Sequence, residues 1–273
     1  MDNYQVGQAP FYTSPNSSVA VFKYSSRDRP NSPVTVIRCQ LLRTAYQAHF
    51  PETIDAVLNA ALDKARTEDK STCKIVEVQV DLTEAPEQYT VVETLDAEPD
   101  GETELREYLE EASRVLLAAR NPSSSPQRQG ITERYQVEPD PFYISDTGSV
   151  SLFKGSSRAR SGHSIIVKRH EFSAFQGKEK LHNELAKAIN TAIAQARVEH
   201  PNICRVLEIH LDTSYAPKRY YLSHILEALD RDVDMEIDKR RRQQRPMSDW
   251  ELWGFLEQTA SALAYAHSKV RYS

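Results

Sequence analysis

Tyr4-Gln5-Val6, Pro10-Phe11-Tyr12, Phe22-Lys23 and Ser25-Ser26-Arg27 return in the same order as Tyr135-Gln136-Val137, Pro141-Phe142-Tyr143, Phe153-Lys154 and Ser156-Ser157-Arg158. The offset is 131 residues each time (135 − 4, 141 − 10, 153 − 22, 156 − 25). It continues without a gap. Val19 meets Val150, Val36 meets Val167, Asn59 meets Asn190, and Ala65-Arg66 meets Ala196-Arg197. Cys73 meets Cys204, Glu77 meets Glu208, Asp81 meets Asp212, Ala85-Pro86 meets Ala216-Pro217, and Leu95 meets Leu226. Self-similarity at one fixed offset means that a single supersecondary unit is written twice. Past Leu226 the second copy carries an insertion. A helix-forming stretch then follows in each copy, 105–120 and 249–267, with Ala118-Ala119-Arg120 facing Tyr265-Ala266-His267.

Each copy carries the same sequence of patterns. β-rich runs at 18–23 and 33–38 are echoed at 149–154 and 164–169. Helical segments are expected at 52–66 and 178–197, the second with Leu181, Leu185, Ile189 and Ile193 at four-residue spacing, a core-facing stripe. The runs 74–82 and 205–211 alternate apolar and polar residues, as half-buried strands do, and strands at 89–95 and 220–226 close the unit. Three strands, a helix, two strands and a helix predict an α+β unit with one five-stranded antiparallel sheet. The expected organisation is a repeat over 4–120, a Pro/Ser-rich linker over 121–130 and a second repeat over 131–273.

Composition narrows the function classes. The 273 residues carry a net charge of −5, which disfavours nucleic acid as a partner because phosphate binding needs a basic surface. No apolar run approaches the roughly 20 residues that span a bilayer. The N-terminus lacks the basic and apolar regions of a secretory signal, and three scattered cysteines fit neither a disulfide framework nor a zinc cage. These features lead us to expect a cytoplasmic protein without a membrane partner. With 8 glycines, the sequence contains neither G-x-G-x-x-G nor G-x-x-x-x-G-K-[ST], the two commonest phosphate-cradling loops.

The second copy resembles the small lobe of eukaryotic protein kinases. His200-Pro201-Asn202-Ile203 resembles the turn after their helix αC, and Ser164-Ile165-Ile166-Val167-Lys168 resembles their third strand, V-A-I-K. Gly148-Ser149-Val150 is similar to the end of their glycine-rich loop, and 220–229 to their fifth strand and hinge. Trp253-Gly254-Phe255-Leu256 with 262–269 is similar to helix αE. The resemblance covers about residues 135–270 directly and 4–120 through the repeat. It implies ATP as the cofactor to consider, with Gly148, Val150 and Lys168 as contacts and Lys168 on the α- and β-phosphates. Asp232, near the hinge, reads as a solvated loop acid, with a ribose contact as the alternative.

The departures from that pattern bear on activity. The αC glutamate that should pair with Lys168 falls on Thr191, and Glu184 lies two turns further away. The first two loop glycines fall on Tyr143 and Ser145, whose side chains crowd a backbone approach. In copy one Ile37 faces Lys168 and Ala60 faces Thr191. H-R-D-x-x-x-x-N and D-F-G, which supply the base and the metal ligands, occur nowhere in the chain. The expected function is therefore a non-catalytic, pseudokinase-like binding or regulatory module with a protein partner, a kinase being one such partner. The alternative is the N-terminal piece of a protein serine/threonine kinase whose large lobe is missing. Both copies stop at the same helix, which favours a natural module of small lobe plus αE.

Three further features carry bland expectations. Asp230, Asp232 and Asp234 imitate the start of an EF-hand loop, but Met235 and Arg241 occupy the positions that need glycine and glutamate. The basic run at 239–242 reads as a solvated insertion. Trp253 lies on the apolar stripe of the αE-like helix. That stripe must be covered, either by packing of the two copies through αE and sheet or by a partner.

Overall fold

The computed structural model describes residues 10, 12–13, 19–25, 33–42, 50–67, 73–83, 85, 88–97, 107–110, 114, 131–159, 163–228 and 233–270. The chain is α+β with two antiparallel sheets. The first contains β1 (Tyr12–Thr13), β2 (Val19–Ser25), β3 (Pro33–Leu42), β4 (Cys73–Asp81) and β5 (Gln88–Ala97), in the order β1-β2-β3-β5-β4. Helix α1 (Phe50–Thr67) lies between β3 and β4 in sequence. A turn of helix, α2 (Ile131–Arg134), leads into the second sheet. That sheet contains β6 (Tyr135–Val137), β7 (Tyr143–Ile144), β8 (Val150–Ser157), β9 (Ser164–Ser173), β10 (Val206–Asp212) and β11 (Arg219–Glu227), in the order β10-β11-β9-β8-β6, with β7 also on β8. Helix α3 (Lys178–Ala196) precedes β10, and α4 (Val233–Arg242) and α5 (Asp249–Val270) follow β11.

The 131-residue offset is preserved in the hydrogen-bond register. Val21, Ile37, Glu93 and Val78 stand opposite one another across β2, β3, β5 and β4. Leu152, Lys168, His224 and Ile209 form the matching row across β8, β9, β11 and β10. Even the irregularity in the edge strand repeats, between Ile75 and Glu77 and between Val206 and Glu208. Among the described residues the first sheet has the expected five strands. In the second, the outer strand is split into β6 and β7. Pro139 and Pro141 lie at the break and have no N–H to give a ladder, while Glu138 and Phe142 on either side still donate to Lys154 and Leu152.

The two sheets share one core. Leu181, Leu185, Ala188, Ile189, Ala192 and Ile193 are the buried stripe of α3. They join a single cluster with Ile54, Leu58, Ala61 and Leu62 of α1 and with strand residues of both sheets. The main partner of each helix is the edge strand of the opposite sheet, α1 on β10 and α3 on β4, and the helices also pack on each other. The copies therefore meet through α1, α3 and the edge strands. This differs from the expectation that they meet through the αE-like helix: the buried stripes of α1 and α3 lie in the shared core, whereas Leu252, Phe255, Leu256 and Leu263 of α5 are exposed.

The contacts between halves are matched pair by pair. Asn59 accepts from the Ile209 N–H (2.9 Å) and donates to its carbonyl (2.7 Å). Asn190, at the same place in the other copy, accepts from the Val78 N–H (2.9 Å) and donates to its carbonyl (3.0 Å). Arg66 donates to the Val206 and Leu207 carbonyls at 2.6 Å each, and Arg197 donates to the Ile75 carbonyl. An edge strand exposes unpaired backbone groups that template further pairing. Here each edge is capped by the helix of the other copy.

Candidate functional site

The three candidate contacts lie on one side of the second sheet. Gly148 sits at the tip between β7 and β8 with φ +70, a conformation that glycine adopts without strain. Val150 begins β8 and stands opposite His170, while Leu152 stands opposite Lys168. Residues two apart on a strand share a face, so Val150, Leu152, Lys168, His170 and His224 share one.

The tip is tied to itself. Gly148 N–H donates to the Ser145 carbonyl (2.7 Å), Val150 N–H to Ser145 Oγ (3.1 Å), and Ser145 N–H to the Val150 carbonyl (2.9 Å). Thr147 Oγ1 and Ser149 Oγ are 2.7 Å apart. These three amides already have partners and are not free to cradle a phosphate. Ser145 is the residue that uses up the Val150 amide.

Lys168 is half-buried and has no salt-bridge partner among the described residues. Glu184 reaches Lys180 instead, at 3.7 Å on the solvent side of α3. Thr191 Oγ1 donates to the Lys187 carbonyl within its own helix (2.7 Å). No carboxylate of α3 thus takes the role that the sequence assigns to an αC glutamate.

The face also holds a feature that motif reading missed. His170 and His224 meet at 5.0 Å between ring centroids, and His170 stacks on Phe172 at 6.1 Å. His224 is 2 % exposed, and the Nε2 atoms of both rings are buried without a hydrogen-bond partner. Burial and the Lys168 charge pull the His170 pKa down to about 4. Burial, His170 and Lys168 pull that of His224 down to about 3. Both imidazoles are neutral at pH 7. A signal was present at the 131 offset, where Cys39 faces His170 and Glu93 faces His224, two polar pairs on otherwise apolar strand faces.

The same face of the first sheet is closed. Val19, Val21, Ile37 and Cys39 are at most 1 % exposed, and residues 107–110 are helical, with Tyr108 and Leu109 buried in the same cluster. The Tyr108 hydroxyl donates to the buried Glu93. Burial pushes Glu93 up to about 7, against the opposing pull of that hydrogen bond. In the second sheet, by contrast, Val150 and Leu152 are half-buried.

The His200–Asn202 turn meets α5. His200 Nε2 lies 3.2 Å from Ser261 Oγ, Asn202 donates to the Gln258 carbonyl (3.3 Å), and the His200 and Tyr265 rings are 5.3 Å apart. Arg240 of α4 holds Glu251 of α5 through two bonds of 3.0 Å and also pairs with Glu236. Ser248 and Glu251 cap α5 reciprocally. The basic run thus contributes a helix-to-helix clamp. The EF-hand-like stretch continues into α4, which rules out a loop geometry from Val233 on. Among the described residues no group of three or more His, Cys, Asp or Glu could hold a metal. Asp232, the 121–130 linker and most of 105–120 lie outside the described residues. Among those described, no helix is long and apolar enough to cross a membrane. No protein-family model matches the chain, and no curated protein matches it.

Proposed function

We propose that the chain is a non-catalytic, pseudokinase-like binding or regulatory module acting in the cytoplasm on a protein partner. The observation that carries this reading is the contrast between the two matching rows. Ile37 is fully buried and Glu93 is held by Tyr108, whereas Val150, Leu152 and Lys168 are half-buried. The reading is supported by the absence of H-R-D and D-F-G, by the self-satisfied loop amides, and by Lys168 having no carboxylate partner among the described residues. Phosphoryl transfer depends on positioned charge and Mg²⁺, for which this chain offers no ligands of the family's kind. The open face retains one candidate role, contact with ATP through Gly148, Val150 and Lys168.

The test combines a transfer assay with γ-labelled ATP and a basic protein acceptor with a thermal-shift titration using ATP and Mg²⁺. The expected result is no transfer and no shift. Transfer overturns the reading. A shift that disappears in Lys168→Ala keeps the module non-catalytic but makes it a nucleotide binder.

One observation favours a second reading, the N-terminal piece of a serine/threonine kinase. Leu252, Phe255, Leu256 and Leu263 of α5 are 39–55 % exposed, as an αE helix would be without its large lobe. An in-frame H-R-D and D-F-G in the coding sequence after Ser273 would establish it.

A further inference from the structure

We infer that Asp55 and His210 form a pairing code: they direct copy one onto copy two of its own chain and exclude the other partner the seam fits, the like copy of a second chain.

Most contacts across the seam cannot tell the copies apart. Asn59 and Asn190 bond the backbone of Ile209 and Val78, and Arg66 and Arg197 bond the carbonyls of Val206 and Ile75. At the offset of 131 these are matching positions: Asn59 with Asn190, Arg66 with Arg197, Ile75 with Val206, Val78 with Ile209. Backbone groups carry no side-chain identity. Copy two would therefore find on a second copy two the contacts it now makes on copy one, Asn190 on Ile209 and Arg197 on Val206. Copy one has the same option, Asn59 on Val78 and Arg66 on Ile75. Each like-with-like seam would be two-fold, so two chains joined by both would close as a dimer. His182 behaves in the same way. It accepts from the Leu82 N–H (3.0 Å) and stands 3.9 Å from Asp81. Thr213 and Asp212 match those two positions, so a seam between two second copies would keep an N–H and a carboxylate for His182.

Asp55 and His210 are different. Asp55 of α1 is 5 % exposed, pairs with the His210 ring of β10 and accepts from the Leu211 N–H (2.8 Å). The matching positions hold Ala186 and Gln79. The acid is thus on the helix of one copy and the base on the strand of the other, with no second set. A seam between two first copies would set Asp55 against Gln79, whose amide already donates to Glu77 (2.7 Å). It would also lack Arg134, whose charge acts on Asp55 and which is matched by Asn3. A seam between two second copies would set His210 against the methyl group of Ala186. Every like-with-like seam strands one member of a buried pair, whereas the seam within the chain satisfies both. Stranding one member costs far more than the intact pair contributes, so the pair acts by penalising the wrong partner.

The test moves the code in two stages within the full chain. Asp55→Ala/Ala186→Asp places the acid on copy two, where His210 already lies. Both seams within the chain are then mismatched, and a seam between two second copies regains the pair twice. Adding Gln79→His/His210→Gln moves the base to copy one and restores a matched seam within the chain. Light scattering coupled to size exclusion should show the first variant self-associating at least about tenfold more tightly than wild type. The fourfold variant should return to wild-type behaviour, with a urea midpoint above that of the first variant. A first variant that associates no more tightly than wild type overturns the inference. So does a dimer that the fourfold variant does not disperse, because it then forms away from the seam. If the first variant does not fold, the fourfold variant decides: recovery of the folded chain supports the code, and failure to recover overturns it.

Discussion

Asn59 and Asn190, one on each of the two central helices, make the same two hydrogen bonds to a strand of the opposite sheet. Each side-chain amide takes the N–H and the carbonyl of one edge residue, Ile209 for Asn59 and Val78 for Asn190. The amide imitates a neighbouring strand for a single residue. Each also donates within its own helix, to the Asp55 and Ala186 carbonyls at 2.8 Å, which fixes the amide plane. The pairing is reciprocal, as in a two-fold interface, but it lies within one chain. Because the apolar cluster is also shared, neither copy keeps its core without the other. Denaturation should therefore show one cooperative transition, with circular dichroism tracking every strand together. Two separable transitions would mean that the copies are stable independently.

Replacing either asparagine should cost more than one hydrogen bond. Asn190→Ala leaves the Val78 N–H and carbonyl without partners at an enclosed edge, and Asn59→Ala does the same at Ile209. A loss of about 2–4 kcal/mol for each is expected from two unsatisfied backbone groups. Urea unfolding of the two single variants checks this. The pseudo-symmetry requires the two losses to be similar, so one near zero and one large would argue against equivalent roles.

The symmetry breaks at Asp55 and His210. The Asp55 carboxylate accepts from the Leu211 N–H (2.8 Å) and pairs with the His210 ring, whereas the matching residues are Ala186 and Gln79. Burial pulls the His210 pKa down, but the hydrogen bond and charge of Asp55, with Asp212 beyond, outweigh it and set it above the usual value. Burial raises Asp55 above the carboxylate range despite that partner. Both groups hold protons more tightly folded than unfolded. The His210 contribution is therefore complete below pH 6.5 and is lost as pH rises through its raised pKa. NMR titration should place His210 above 6.5. Asp55→Ala should destabilise the fold by about 3–5 kcal/mol near neutral pH, as stranding one member of a buried pair does.

Much of the architecture was legible because the chain states it twice. The 131 offset alone matches Asn59 with Asn190 and Arg66 with Arg197, and α3 spans Lys178–Ala196 against a sequence expectation of 178–197. Strand ends were less legible. The third strands run to Leu42 and Ser173, beyond the expected 38 and 169, because Cys39 and His170 point into the interior and blur the alternation. An apolar stripe says that a helix face is buried. It cannot say that the surface burying it belongs to the other copy. At the candidate site, Lys168 and Val150 were found through a family pattern. His170 and His224 belong to no motif, and only the offset marked their positions.

Glu93 and Tyr108 give the closed sheet a pH response of its own. The folded state holds the Glu93 proton up to about pH 7, against about 4.5 for an unfolded glutamate. Its contribution is full below 4.5 and is lost as pH rises through 7. Glu93→Gln should remove that loss, seen as denaturation midpoints that change less between pH 5 and 8. Tyr108→Phe removes the group that favours the ionised form, so the same loss should move to higher pH. A Tyr108→Phe profile shifted to lower pH would contradict the assignment.

His170 and His224 act in the opposite direction. Their folded pKa values, about 4 and about 3, lie below the 6.5 of an unfolded histidine. Above 6.5 both states are neutral and the pair has no pH effect. As pH falls below 6.5 the unfolded chain takes up protons that the folded chain refuses, so stability is lost at up to about 1.4 kcal/mol per pH unit for each proton. The loss ends once the folded imidazoles themselves protonate. The cause is burial first, reinforced by the Lys168 charge on the same face, so Lys168→Met should weaken the acid sensitivity without abolishing it. His224→Leu removes both the titration and a buried nitrogen without a partner. It should raise stability at pH 7 by about 1–3 kcal/mol and flatten the profile between pH 3 and 6.5. Urea midpoints across that range decide the matter. A His224→Leu chain less stable than wild type at pH 7 would show that the His224 nitrogen is satisfied in solution and that the open face is filled there.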